Sequence, residues 1–281
     1  MTGVLNLALV QLRTPAEQGA ALAHARPLIL EAARNGAQFV LLPECANFVE
    51  ARKENKARRV TDEASDAFVL GVRELARTLR TPVLIGSAIV RAESDPEYPQ
   101  APRAANRTLL INAHGDITAR YDKIHLFDAD TPDGKSYRES AAMRPGAQAV
   151  VAETPWGGLG LSVCYDVRFA HLYRALARAG ARMIAVPAAF TVPTGKAHWE
   201  VLLRARAIET GCFVLAPAQG GLHEDGRTTY GHTMAVSPWG EVIGRLDHDR
   251  PAVLEATLDF SEVAAARQAL PQLRHDREFG V

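Results

Sequence analysis

The sequence predicts an α/β protein, and three observations carry that prediction. Short apolar runs alternate with alanine-rich stretches of helical period along all 281 residues. No low-complexity segment or long Pro/Gly/Ser linker interrupts them, so residues 1–281 read as a single domain able to bury a sizeable core. The first half is also echoed in the second. Ala33-Arg34-Asn35-Gly36-Ala37-Gln38-Phe39-Val40-Leu41-Leu42-Pro43 aligns with Ala177-Arg178-Ala179-Gly180-Ala181-Arg182-Met183-Ile184-Ala185-Val186-Pro187.

Taken in order, the chain opens on Val4-Leu5-Asn6-Leu7-Ala8-Leu9-Val10. This run is too short to span a membrane and lacks the basic flank of a signal peptide, so it reads as a strand. Helices are expected over 16–35, 62–79, 171–179 and 198–209. The strands between them are expected over 39–42, 83–87, 108–112, 160–163, 183–186 and 213–216. In each copy of the echo a helix ends at a glycine, and a buried strand is then stopped by proline. Gly115-Asp116-Ile117 and Gly240-Glu241-Val242 are placed like hairpin turns and form a second, weaker echo. Two similar halves would let two sheets pack face to face with helices outside. Residues 93–103, with three prolines, read as an exposed loop.

Composition narrows the class of partner. Formal net charge is zero, from 32 basic and 32 acidic side chains, which argues against nucleic acid or an acidic membrane surface. Arg52, Lys53, Lys56, Arg58 and Arg59 cluster, but Glu50, Glu54, Asp62 and Glu63 interleave with them, the pattern of a solvated helix face. The three cysteines, Cys45, Cys164 and Cys212, are far apart and odd in number. They make neither a disulfide framework nor a zinc ribbon and fit a reducing, cytoplasmic setting.

Cys164 ends the apolar run that begins at Gly157, just before the helix expected near His171. A side chain so placed can project into a cleft, with backbone N–H groups of the turn facing an oxyanion. The competing reading is a buried structural cysteine. A reacting thiol needs a base and profits from a cation. None of the nine histidines sits in a motif that singles it out. Glu44 follows Leu41-Leu42-Pro43 and emerges where a buried strand stops, and Lys123 lies just past the Gly115 turn. Alone, each is an ordinary charged side chain.

Together they form a pattern. Leu42-Pro43-Glu44, Tyr121-Asp122-Lys123 and Val163-Cys164-Tyr165-Asp166, in that order, resemble the nitrilase (carbon–nitrogen hydrolase) superfamily. The likeness to its Nit branch extends through Asp122-Lys123-Ile124-His125-Leu126-Phe127-Asp128, Arg138-Glu139-Ser140, Val167-Arg168-Phe169, residues 197–209 and Tyr230-Gly231-His232. The resemblance covers almost the whole chain. It implies a four-layer αββα sandwich, a homodimer at least, and a Glu–Lys–Cys triad carried onto Glu44, Lys123 and Cys164. A second glutamate falls on Glu139, and the Tyr165 N–H becomes an oxyanion donor beside Lys123. In the expected chemistry Glu44 takes the Cys164 proton and the thiolate attacks an amide. Glu139 keeps Lys123 charged. The expected substrate is a γ-amide of a small α-keto acid. Deaminated glutathione is favoured over 2-oxoglutaramate, ahead of a nitrile or a carbamoyl amide. A catalytically silent scaffold is the reading from another class, and the presence of all four residues counts against it.

Gly134-Lys135-Ser136 lacks the earlier glycine of a phosphate loop, because position 129 is Ala129. Gly158-Leu159-Gly160 precedes a strand rather than a helix, so no dinucleotide site is expected. With no His-Glu-x-x-His or Cys-x-x-Cys pair, neither metal nor cofactor is expected. Phe190 and Thr191, before the helix expected at His198, are placed as substrate contacts. Arg168 either pairs with a substrate carboxylate or ties the loop down through Asp166. Arg206 and Glu209, three apart, read as a structural pair, and Cys45 as packing.

Overall fold

The computed structural model describes residues 3–50, 52–92 and 103–280. The loop expected at 93–103 falls, but for Arg103, outside them. The first half runs β1 (Val4–Gln11), α1 (Gln18–Arg34), β2 (Phe39–Leu41), α2 (Lys53–Arg59), α3 (Ala67–Leu79), β3 (Val83–Arg91), β4 (Ala104–Ile111) and β5 (Ile117–Asp122). A small hairpin, β6 (Asp128–Asp130) and β7 (Ser136–Arg138), leads into the second half. There follow β8 (Val150–Ala152), β9 (Gly158–Leu161), α4 (Ala170–Arg178), β10 (Ala181–Ala185), α5 (Val192–Thr210) and β11 (Phe213–Ala216). The chain closes through β12 (Gly220–Leu222), β13 (Thr228–Tyr230), β14 (Met234–Val236), β15 (Val242–Arg245), β16 (Ala252–Asp259) and α6 (Ser261–Ala269).

The strands form two six-stranded sheets ordered β16-β1-β2-β3-β4-β5 and β15-β14-β11-β10-β9-β8. Reversing the second aligns β9, β10 and β11 with β1, β2 and β3. In both sheets these three are parallel and their outer neighbours antiparallel. The echoed segments fall on the matching strands β2 and β10, and Gly115 and Gly240 sit in the matching β4–β5 and β14–β15 turns. Both take positive φ, 82° and 86°, which only glycine adopts without strain.

Alternation along the strands makes the layers. Leu5, Leu7, Leu9, Phe39 and Leu41 face inward and share one core with Leu159, Leu161, Met183 and Phe213 of the other sheet. Ala8, Val10 and Val40 face outward, onto Ala25 and Ile29 of α1 and Phe68 and Val72 of α3. Leu172 and Leu176 of α4 and Leu203 and Ala207 of α5 cover the second sheet. The four layers are those of the expected αββα sandwich. The sheets meet tightly at Gly86, where a Cβ would lie 1.9 Å from the Leu42 carbonyl and 2.3 Å from Pro187 Cβ.

Two helices differ from expectation. The stretch 62–79 breaks into a 3-10 turn, Glu63–Ser65, and α3, because the Asp66 side chain accepts from the Val69 N–H at 3.0 Å and caps a new helix. The helix expected to open at His198 begins at Val192 instead. Pro193 lies in its first turn, where a missing N–H costs nothing, and Gly195 is there because Tyr230 packs on it: a Cβ would lie 2.3 Å from the ring. Among the described residues no helix is long and apolar enough to cross a membrane.

Candidate active site

The matching strands of the two sheets end at a common cleft of about 510 Å³. Pro43 stops β2 and delivers Glu44 and Cys45; β5 delivers Lys123; β9 delivers Cys164, and Pro187 stops β10 ahead of Ala189 and Phe190. Cys164 opens a 3-10 turn, Cys164–Arg168, with φ 49°. That left-handed conformation is uncommon for a residue with a Cβ and strains the turn. The Cys164 N–H donates to Pro187 O at 2.8 Å, which fixes the turn to the neighbouring strand end. The Tyr165 N–H lies at the start of the same turn, where amides precede any intrahelical acceptor.

The charged groups close on one another. Lys123 Nζ donates to Glu44 Oε1 at 2.9 Å and to Glu139 Oε2 at 2.8 Å. Asn106 Nδ2 donates to the same two carboxylates, to Glu44 Oε1 at 2.9 Å and Glu139 Oε1 at 3.1 Å. The Ala189 N–H reaches Glu44 Oε2 at 2.8 Å, and the Phe127 N–H reaches Glu139 Oε2 at 2.7 Å. Lys123 is 2% exposed and Glu44 4%, so these charges are held by one another rather than by water.

Burial sets the protonation states. It pulls on the Lys123 ammonium, but Glu139 and Glu44 outweigh it and hold the amine charged well above its ordinary range. Burial pushes Glu139 up, while Lys123 and the Phe127 and Asn106 donors pull it down, and the carboxylate stays ionised. The Cys164 thiol is raised well above its usual value, first by burial and then by the charge of the Glu44 carboxylate. The resting site is therefore a neutral thiol facing a carboxylate, with an ammonium behind.

Phe190 and Thr191 line the same cleft. Phe190 packs on Trp199 with ring centroids 4.8 Å apart, and Thr191 Oγ1 meets Thr194 Oγ1 at 2.7 Å. Arg168 lies 5.6 Å from the Phe190 centroid and 5.9 Å from that of Tyr165, and touches His198 Nδ1 at 3.3 Å. It does not tie the loop through Asp166. That buried carboxylate instead accepts from Tyr121 Oη at 2.6 Å, the Val163 N–H at 2.8 Å and the His125 N–H at 3.0 Å, and meets His125 Nδ1 at 2.7 Å. Tyr121 and His125 flank Lys123, so Asp166 locks the cysteine turn of one sheet to the lysine strand of the other. Arg206 pairs with Glu209 at 2.7 Å and also donates from Nε to Val167 O at 2.8 Å, bracing the turn from below.

Two expectations change here. Cys45 packs on Phe48 and Ile89 but also lines the cleft, its thiol pushed up to about 12 by burial and by Glu44. Lys56 does not lie on a solvated face: it is half-buried and lines the cleft too, because α2 turns that side of its surface inward. Asn106 escaped the sequence reading altogether. Among the described residues no group of His, Cys, Asp and Glu is arranged to hold a metal.

The carbon-nitrogen hydrolase family pattern matches residues 6–268. The chain is 40% identical over 274 residues to a deaminated glutathione amidase of Yersinia enterocolitica, covering 97% of this chain and 93% of that one. Among solved structures, Saccharomyces cerevisiae Nit3, of branch 10 of the nitrilase superfamily, superposes with a TM-score of 0.84 at 26% identity over 97% and 96% of the two chains. A variant of the amidase from Nesterenkonia sp. AN1, carrying the acetamide moiety of fluoroacetamide covalently at its active-site cysteine, superposes at 0.76, with 27% identity over 94% of each chain. The chain belongs to the carbon–nitrogen hydrolase family.

Proposed function

We propose that this chain hydrolyses the γ-amide of deaminated glutathione through a thioester on Cys164. The observation that carries the reading is the Lys123 ammonium held charged between Glu44 and Glu139 in the cleft that the buried Cys164 thiol also lines. Glu44 takes the thiol proton as sulfur bonds to the amide carbon. The negative charge passing to the carbonyl oxygen is met by Lys123 and the Tyr165 N–H. Glu44 returns the proton to the departing amine as the C–N bond breaks. It then takes one from the water that attacks the thioester, and that proton restores the thiol. Glu139 acts through Lys123, as a positioning residue.

Relatives carrying the deaminated glutathione amidase name support the choice of substrate. So does the chemistry of the cleft, where Arg168 meets no carboxylate among the described residues and suits the carboxylate of an α-keto acid. Phe190 and Thr191 wall the acyl part. The three free cysteines fit a reducing cytoplasm. The exposed Val201 and Ile208 of α5 and the nearby Trp239 are an apolar face suited to a homodimer.

The test is intact-protein mass spectrometry during turnover, with wild type and Cys164→Ala each given deaminated glutathione and, separately, 2-oxoglutaramate. A transient adduct of the 2-oxoglutaryl group and release of Cys-Gly from wild type alone is the expected result. Product from Cys164→Ala at the wild-type rate would end the thioester scheme, and faster release of ammonia from 2-oxoglutaramate would move the substrate to the ω-amidase class.

A further inference from the structure

The cleft has a second cationic pole. Lys56 and Arg227 both line it on the side of Cys45, whereas Arg168 stands beside Tyr165 and Phe190. Lys56 makes no ion pair among the described residues. Burial holds its amine below the ordinary value, and the like charge of Arg227 adds to the shift. Its ammonium has lost solvent without gaining a carboxylate. Arg227 is half-satisfied: Asp225 accepts from its backbone N–H at 2.9 Å and from Nη2 at 3.2 Å, while Nε is buried with no acceptor among the described residues.

The acidic groups nearby do not cancel this pole. Asp225 is committed to Arg227, and Glu50 is taken by Arg52, Asn55 and Arg59, with its carboxyl held down at about 2. Lys135 and Arg138, also in the cleft wall, are occupied by Asp133 and Asp130. What remains is one ammonium without an acceptor and, beside it, the guanidinium of Arg227, whose Nη1 takes no part in the Asp225 pair; both line a space that a primary amide fills only in part. An ammonium stripped of solvent without a partner is costly, and a ligand carboxylate meets it together with the neighbouring guanidinium.

We propose that Lys56 and Arg227 form an anion subsite for the amine leaving group and bind the terminal carboxylate of a peptide-like amine. This rests on the amidase reading above and deepens it. The substrate then spans two positive poles, its acyl carboxylate at Arg168 and its leaving-group carboxylate at Lys56 and Arg227, with the scissile amide between them at Cys164. Lys56 and Arg227 become specificity determinants that distinguish an amide of a dipeptide from an amide of ammonia.

The test compares deaminated glutathione with the same molecule whose C-terminal carboxylate is converted to a carboxamide, two substrates that differ by one charge. In wild type, kcat/KM should favour the carboxylate by about tenfold or more, through KM. Lys56→Gln should bring that ratio close to one, Lys56→Glu should invert it, and Lys56→Arg should restore most of it. Lys56 lines the cleft and makes no ion pair from its side chain among the described residues, so these variants should fold. A wild-type ratio near one, or a ratio unchanged in Lys56→Gln, would overturn the subsite while leaving the amidase standing. Wild type silent on both substrates would overturn the amidase reading and the subsite with it.

Discussion

The ring around Lys123 is a problem in shared charge: two carboxylates and one ammonium, packed with little water. Asn106 solves part of it, because one amide nitrogen donates to both carboxylates. Removing that donor leaves Glu44 and Glu139 facing each other, and one of them gains affinity for a proton. Asn106→Ala should therefore lower kcat by about tenfold to a hundredfold, corresponding to the 1–3 kcal/mol of an unmet buried group. It should also shift the acidic limb of the pH–rate profile upward, which a merely structural loss would not do. Asp166→Asn should weaken the lock between Cys164 and Lys123, lowering kcat more than it raises KM in steady-state assays. Glu44, Lys123 and Cys164 were singled out by the ordered pattern of Leu42-Pro43-Glu44, Tyr121-Asp122-Lys123 and Val163-Cys164-Tyr165-Asp166 rather than one by one, and the fold gathers them in one cleft. Asn106 was not, because a polar residue within a strand looks like any outward-facing one, and its partner Glu44 lies 62 residues away. Lys56 was misread for a related reason: alternating charge marks a helix surface without saying which side of it meets a cleft.

At the scale of elements, strand ends and punctuation decide the site. Proline stops β2 and β10 at matching places, so both sheets release their chains toward one cleft. Pro193 and Gly195 suggested loop where α5 already runs, since proline in a first turn and a glycine under a neighbouring ring leave the same trace as a linker. Gly86 is the tightest of these points. Its absent side chain lets β3 lie against the Leu42 carbonyl and Pro187, next to the residues that carry Glu44 and Cys164. Gly86→Ala should destabilise the fold by about 3 kcal/mol or more, because backbone rather than a flexible tip meets the new methyl. Chemical denaturation would measure it, and a midpoint equal to wild type would refute the close approach.

Across the whole molecule, the halves are sewn by polar groups as well as by the apolar core. Gln219 Nε2 donates to Thr14 Oγ1 at 2.6 Å and to the Glu44 carbonyl at 2.9 Å, while its Oε1 accepts from the Thr14 N–H at 3.0 Å. His223 meets Thr14 O at 3.3 Å across the same seam and is held by Thr229 Oγ1 at 2.8 Å within its own hairpin. Burial holds the His223 ring neutral, with its pKa lowered to about 4. An unfolded chain protonates that ring near pH 6.5. As the pH falls, the unfolded state takes up the proton first, so the ring's contribution is complete above about pH 6.5 and is lost toward pH 4. Wild-type stability should drop across that window by up to about 3 kcal/mol from this residue, and His223→Gln should flatten the slope in urea titrations at several pH values.

The position of β16 has a consequence in time. It pairs with β1 and is the last strand of the sheet whose other members supply Glu44 and Lys123. A ribosome delivers Glu44 early and the cysteine midway, but this closing strand only after residue 252 has emerged. By then Glu44, Lys123 and Cys164 have all been made, while the sheet that carries two of them still lacks its edge strand. A nascent chain thus holds all three reactive groups for a stretch of its synthesis before the sheet that carries two of them has its edge.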